Sequence, residues 1–99
     1  MRKHEEIFQE APREHKRGAS SFVDDSQHMH DFYVKFGHNV QKTREKANFT
    51  QEEFSKKASI DRSYLSEIET GRRRVSLFIA FKIASLLGTT LDDLLEIMD

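Results

Sequence analysis

The chain has 99 residues, no cysteine and a formal net charge of −1, so it allows one small domain and excludes a disulfide framework or a thiolate metal site. It contains no apolar run long enough to span a membrane, and its N-terminus lacks the apolar core of a signal peptide. We therefore expect a cytoplasmic protein with no membrane partner.

The charges are distributed unevenly along the chain. Residues 31–74 contain ten basic and seven acidic side chains, whereas residues 75–99 contain one lysine and four acids. The net charge by itself gives no support to nucleic-acid binding, but the middle of the chain is mildly basic and the C-terminal part is acidic.

Residues 1–30 differ in composition from the rest. They contain the only proline, Pro12, four of the five histidines and few large apolar side chains. We interpret them as an N-terminal arm that is ordered in part at best. His28 and His30 lie near three aspartates, but no helical H-E-x-x-H spacing is present. We favour solvated histidines and expect no metal and no cofactor.

Apolar residues at helical spacing predict a first helix from about Asp31 to Lys46. Its predicted inward residues are Tyr33, Phe36, Val40 and Ala47. No strand pattern of convincing length and no internal repeat follow it. The predicted fold class is therefore all-α, with five helices in a compact domain over residues 31–99.

Two short helices joined by a tight turn are predicted next. Thr50 and Glu53 form a T-x-x-E capping box at the start of the second helix. The turn at residues 59–61 ends with Asp61, which can cap the third helix. Gly71 lies just past that helix, where φ is often positive. The inward residues of this pair are Phe54, Ala58, Ile60, Tyr64, Leu65 and Ile68.

The outward residues of the third helix are polar, and three arginines follow it. The outward set is Asp61, Arg62, Ser63, Ser66 and Glu67, and the arginines are Arg72, Arg73 and Arg74. This is the layout of a helix-turn-helix, in which the second helix of the pair enters the DNA major groove and reads base edges.

The fourth and fifth predicted helices are apolar on more than one side. The fourth runs from about Ser76 to Leu87 and ends at Gly88, and the fifth begins at Thr90. One stripe of the fourth is Leu77, Ala80, Phe81, Ala84 and Leu87, and the fifth is expected to bury Leu91, Leu94, Leu95 and Met98. The surplus apolar surface predicts a homodimer, with Phe78, Leu94 and Ile97 as interface candidates. Alternatively, the fourth helix is the central helix of the bundle.

Several of these positions together resemble the lambda-repressor/Cro-type (XRE) helix-turn-helix family. They are Arg44, Gln51, Ser63, Glu69, Gly71 and Ser76, with Ile83, Ala84 and Leu87 beyond. The resemblance covers about residues 32–97, and RSYLSEIETGRRRVSL is similar to the controller proteins of restriction–modification systems. It implies a lambda-repressor-like domain that acts as a homodimeric transcriptional regulator on double-stranded operator DNA, with RNA polymerase as an additional candidate partner.

The resemblance also implies roles for individual residues. Thr50 and Gln51 would bind backbone phosphate at a helix N-terminus, and Tyr64 would lie near the DNA. Arg44 would pair with Glu69. The residues expected to face the major groove are Arg62, Ser63, Ser66 and Glu67, and those expected to contact phosphate or a neighbouring protein are Arg72, Arg73 and Arg74. Two departures are Ser55, where alanine is usual, and Ser59, where glycine is usual.

The functional role assigned to each of these residues has a purely structural alternative. The three arginines are also compatible with a solvated loop, Glu67 with a surface acid, and Tyr64 with a core position. No nucleophile elbow, oxyanion loop or glycine-rich phosphate loop is present, so we expect a non-enzyme. The alternative to a DNA-binding regulator is a protein-interaction module such as an antitoxin, but that would not need a polar third helix followed by three arginines.

Overall fold

A computed structural model of the protein describes residues 25–96. This range contains five helices and no strand, which confirms the predicted all-α fold class. The helices are α1 (Asp25–Lys46), α2 (Gln51–Ala58), α3 (Arg62–Glu69), α4 (Leu77–Leu86) and α5 (Leu91–Leu95). No helix in the described range is long and apolar enough to cross a membrane.

The first helix begins earlier than the sequence predicted. α1 already includes Asp25, so the predicted start near Asp31 was wrong, and residues 25–30 are helical rather than part of an arm. Their sequence, DSQHMH, has no apolar stripe, so periodicity gave no helix signal there. Ala47, predicted to point inward, is exposed in the turn after the helix. Residues 1–24 of the predicted arm lie outside the described residues.

A single hydrophobic core joins all five helices. Its largest fully buried side chains are Phe54, Leu65, Ile68, Ile83, Leu94 and Val40. Gly37 allows α1 to approach the end of α3, because a Cβ there would collide with the carbonyl oxygen of Ile68. The close crossing places the N-terminal half of α1 beside the loop that follows α3.

Local capping sets most of the helix starts. The Thr50 hydroxyl accepts from the Glu53 N–H at 3.0 Å, and the Glu53 carboxylate accepts from the Thr50 N–H at 2.9 Å, which confirms the predicted capping box. At the starts of α4 and α5 the hydroxyls of Ser76 and Thr90 each accept from the N–H group three residues later at 3.1 Å. Asp61 occupies the N-cap position of α3, but its side chain makes no capping bond. The predicted Asp61 cap is therefore wrong, and its carboxylate is exposed.

Positive φ angles mark the ends of four helices. Asn48 follows α1 with φ of 65°. Gly71 has φ of 77°, as predicted for a residue just past a helix, and Gly88, where the fourth helix was predicted to end, has φ of 74°. Ser59 ends α2 with φ of 58°, so serine adopts the left-handed conformation at the helix-turn-helix turn, at a cost of about 1 kcal/mol. The other departure from the family pattern, Ser55, is buried and donates its hydroxyl to the Glu52 carbonyl at 3.0 Å.

The apolar faces of α4 are divided between core and surface. Ala80, Ile83 and Ala84 are buried, whereas Leu77 and Phe81 are 74% and 59% exposed. The predicted stripe of the fourth helix is therefore divided, with its two alanines in the core and Leu77 and Phe81 at the surface. An all-round apolar helix at the edge of a small bundle can bury only one side. In α5, Leu94 is buried and Leu91 and Leu95 are partly buried, while the predicted Met98 lies outside the described residues.

Candidate nucleic-acid interface

A buried ion pair joins the C-terminal end of α1 to the C-terminal end of α3. The Arg44 Nε and Nη2 atoms donate to the two carboxylate oxygens of Glu69 at 2.6 and 3.0 Å. Arg44 Nη1 also donates to the Phe49 carbonyl at 2.7 Å. Arg44 and Glu69 are only 6% and 5% exposed. Because the planar guanidinium matches the carboxylate in a two-point contact, the pair fixes the angle between the two helices.

The hydrogen bond with Glu69 is the main reason that the pKa of Arg44 lies above its usual value. Burial opposes this shift, and the charges of Glu69 and Glu45 reinforce it. A raised pKa keeps the guanidinium charged throughout the neutral and alkaline range. The Arg44 side of the pair therefore holds the position of α3 without a change of charge near neutrality.

Gln51 links the helix-turn-helix to the same carboxylate. Its Nε2 donates to Glu69 Oε1 at 3.0 Å, so the amide predicted to bind phosphate is already engaged on one side. Thr50 is exposed at the start of α2, but its hydroxyl is occupied by the capping box. The free groups at this end are therefore one remaining Gln51 N–H and backbone N–H groups of the first turn, which can still bind an anion.

The outer face of α3 divides into an exposed first turn and a more covered second turn. Asp61, Arg62 and Ser63 are exposed, whereas Ser66 and Glu67 are half-buried. Among residues 25–96, Arg62 makes no ion pair. An arginine at the start of the second helix of this motif is free to reach a base edge.

The second turn of α3 is tied to the loop that follows it. Arg73 Nε donates to Glu67 Oε1 at 2.9 Å, and its guanidinium lies 5.1 Å from the centre of the Tyr64 ring. Both side chains of the ion pair are partly exposed. Glu67, Arg73 and Tyr64 thus form one surface cluster. The sequence spacing did not predict it, because the five residues between Glu67 and Arg73 include the turn at Gly71.

The other two arginines remain exposed beside α1. Arg72 and Arg74 make no ion pair within the described residues. Gly71 holds this arginine loop, residues 72–74, against α1, because a Cβ at Gly71 would lie 2.6 Å from Val34 Cγ2. The loop and the start of α1 enclose a groove of about 200 Å³.

The predicted dimer residues do not lie together on the surface. Phe78 is 68% exposed, but Leu94 is 1% exposed and belongs to the core of the same chain. Leu94 is therefore not available for an interface, and that prediction was wrong. Ile97 lies outside the described residues. Among residues 25–96, the large apolar side chains that are more than half exposed are Leu77, Phe78 and Phe81 on α4, which we call the α4 aromatic face.

Asn39 and Gly37 are structural residues that the sequence reading missed. Asn39 Nδ2 donates to the carbonyl oxygens of Leu94 and Glu96 at 2.9 and 2.8 Å, and so closes the C-terminal end of α5. No pattern among neighbouring residues predicts either role, because each residue contacts a helix that is distant in the sequence.

Comparison with known proteins gives a consistent family assignment. A model of the helix-turn-helix family matches residues 40–94. The control protein C.MunI of Mycoplasma sp is 43% identical over 67 residues, which cover 67% of this chain and 90% of that protein. C.BamHI of Bacillus amyloliquefaciens is 40% identical over 62 residues, which cover 62% of this chain and 76% of that protein.

A solved structure supports the same assignment. The restriction–modification controller protein C.AhdI from Aeromonas hydrophila is similar with a TM-score of 0.63 and 32% sequence identity, over 66% of this chain and 94% of that one. The turn at Ser59, the buried Arg44–Glu69 pair and the polar first turn of α3 all lie within the matched residues. The chain therefore belongs to the helix-turn-helix family of DNA-binding transcriptional regulators, among relatives that include restriction–modification controller proteins.

Proposed function

We propose that this protein is a cytoplasmic, homodimeric controller that binds operator DNA sequence-specifically and acts by binding rather than by catalysis. The observation that carries the proposal is the exposed first turn of α3, where Arg62 has no ion-pair partner among the described residues. The opposite end of the same helix is held by the buried Arg44–Glu69 pair. The similarity to C.MunI and C.BamHI, which are control proteins, and to the controller protein C.AhdI supports the controller role.

In this proposal the residues divide into base readers and phosphate contacts. Arg62 and Ser63 reach base edges in the major groove, together with Asp61, Ser66 and Glu67 where the groove geometry allows. The phosphate contacts are the α2 N-terminus at Thr50 and Gln51 and the arginine loop of Arg72, Arg73 and Arg74. Tyr64 lies beneath Arg73 and supports its position.

The proposed dimer uses the α4 aromatic face. Its three large side chains are well exposed, and a contiguous apolar patch of this kind on a small domain is characteristic of an interaction site. A two-fold dimer would present two copies of α3 to two half-sites, which gives a symmetric operator. RNA polymerase is an additional proposed partner of the DNA-bound dimer.

The test compares Arg62→Ala with Arg73→Ala on cognate and scrambled duplexes at several salt concentrations. Arg62→Ala should cost about 1–3 kcal/mol on the cognate duplex and reduce the preference for it. Arg73→Ala should weaken both duplexes similarly and reduce the slope of log affinity against log salt by about one unit. The cognate sequence is first obtained by selection from random duplex DNA.

Two results would contradict the assignment. If Arg73→Ala changes sequence preference while Arg62→Ala does not, the base and phosphate roles are reversed. If neither variant changes affinity, α3 does not read DNA, and the alternative of a protein-interaction module that uses the α4 aromatic face is favoured.

A further inference from the structure

A groove lies between the start of α1 and the arginine loop. The α1 side of this groove lies outside the residues that the family model matches. Its lining residues are Ser26, Met29, His30, Tyr33, Gly71, Arg72, Arg73 and Arg74. The four residues from α1 precede residue 40, where the family match begins. This half of the groove is therefore built by the N-terminal half of α1, before the part of the chain that the family model matches.

The lining of the groove is basic and contains no carboxylate. Of its three arginines, Arg73 is partly neutralised by Glu67, whereas Arg72 and Arg74 have no ion-pair partner among residues 25–96. The two aspartates of the same part of α1 do not line the groove, and each contacts a neighbour on its own helix: Asp25 lies 3.7 Å from His28, and Asp31 accepts from Gln27 at 3.3 Å. The groove is consequently a site of positive potential.

The polar groups of the groove match a phosphate group in number and kind. The guanidinium groups of Arg72 and Arg74 offer forked donors, which suit phosphate oxygens. Ser26 and His30 are exposed on the opposite wall and add hydroxyl and imidazole donors. A volume of about 200 Å³ is enough for a phosphate group with several waters, since a water molecule occupies about 30 Å³ in the liquid.

The groove is also continuous with the outer face of α3. Arg73 lines the groove and at the same time contacts Glu67 and Tyr64 on α3. We propose that this groove binds a phosphate group, held between the start of α1 and the arginine loop. That phosphate comes either from the DNA backbone, beyond the part of the duplex that α3 reads, or from free phosphate in solution. The first of these two sources rests on the proposed function.

The test places a negative charge in the groove and compares it with the same change on the opposite side of the helix. His30→Glu introduces a carboxylate into the lining, whereas His28→Glu makes the identical change about 200° around the helix axis. Arg74→Gln removes a charge from the other wall. Circular dichroism melts of all three full-length variants first establish that they fold.

For a DNA phosphate, His30→Glu and Arg74→Gln should weaken cognate and scrambled duplexes by the same factor, roughly three- to tenfold, with a salt slope lower by about one unit. His28→Glu should have a smaller effect. For a free phosphate, the backbone amide signals of Ser26, Met29 and His30 should shift and saturate on titration with inorganic phosphate, and His30→Glu should abolish the shift.

The proposal is overturned if His30→Glu matches His28→Glu on both duplexes and inorganic phosphate gives no saturating shift. These results are separate from those that test DNA reading. A wild-type protein that binds no duplex would defeat the proposed function, while the phosphate titration would still decide whether the groove binds phosphate.

Discussion

Gly71 and Gly88 have the same backbone conformation but different surroundings. Their φ angles are 77° and 74°. A Cβ at Gly71 would lie 2.6 Å from Val34 Cγ2 and 2.7 Å from Val34 Cα, whereas a Cβ at Gly88 would meet nothing within 4 Å. Substitutions at the two glycines therefore separate the free-energy cost of a left-handed backbone from the cost of a steric clash with α1.

We expect Gly88→Ala to lower the free energy of unfolding by about 1–2 kcal/mol, because it adds only backbone strain. Gly71→Ala should lower it by a further 1–3 kcal/mol, roughly, because α1 and the arginine loop must also separate. Urea unfolding of both variants measures the difference. Equal losses would show that the loop does not pack against Val34 as closely as described.

Two ion pairs of the same chemistry differ in burial. Arg44–Glu69 is almost fully buried, whereas both side chains of Arg73–Glu67 are partly exposed to solvent. Burial removes the competing interactions with water, so that losing one partner leaves the other charge uncompensated.

We therefore expect Glu69→Ala to lower the free energy of unfolding by about 3–5 kcal/mol, and Glu67→Ala by less than about 1 kcal/mol. Glu52→Ala, which removes an exposed contact of 3.9 Å with Lys56, is the control for loss of a surface acid. Chemical denaturation midpoints distinguish the three variants. A Glu69→Ala midpoint equal to that of the control would mean that the pair does not hold α1 to α3.

At the scale of elements, the C-terminal end of α5 is held by hydrogen bonds from α1. A helix of five residues is not stable alone. Its start is capped by Thr90, but its last carbonyls are bound by Asn39 from α1. Burial of Leu94 in the core provides the third restraint.

Asn39→Ala should therefore release the end of α5 and cost about 1–3 kcal/mol, because two carbonyl groups lose their donor. Hydrogen exchange of residues 91–96 should accelerate more than that of α2. Gln27→Ala removes an exposed side-chain bond to Asp31 and should leave exchange unchanged. Unaltered protection of α5 in Asn39→Ala would show that the core alone fixes this helix.

At the scale of the whole molecule, the α4 aromatic face is an apolar surface that the described residues leave exposed to water. Phe78 and Phe81 together with Leu77 remain well exposed, although the mean hydropathy of the chain is −0.72. Two copies that bury this face against each other would remove it from water, and each large side chain would contribute about 1.5–3 kcal/mol if fully buried.

We expect light scattering to give the mass of a dimer at micromolar concentrations. Phe78→Glu and Phe81→Glu should each shift the mass towards that of a monomer, because burying a carboxylate without a partner is costly. Gln27→Glu, at an exposed position of α1, is the control and should leave the dimer intact. A wild-type protein that remains monomeric up to tens of micromolar would contradict the proposed dimer.

The sequence alone determined those features that rest on neighbouring residues. The capping box at Thr50, the positive φ at Gly71 and Gly88, and the polar outer face of α3 depend on spacings of a few residues. Such signals are complete in a local window. The pairing of Arg44 with Glu69 came from the family resemblance, since 25 residues separate the two.

The tertiary structure alone decided which apolar and polar groups meet. Leu94 was assigned to an interface but fills the core. Leu77 and Phe81 belong to the same predicted stripe as two buried alanines but are exposed. Periodicity identifies the faces of a helix but not which face its neighbours cover. The start of α1 at Asp25, the contact of Arg73 with Glu67 and the basic groove beside α1 likewise depend on how helices cross. Crossing is set by close packing between segments distant in the chain, such as Gly37 against α3.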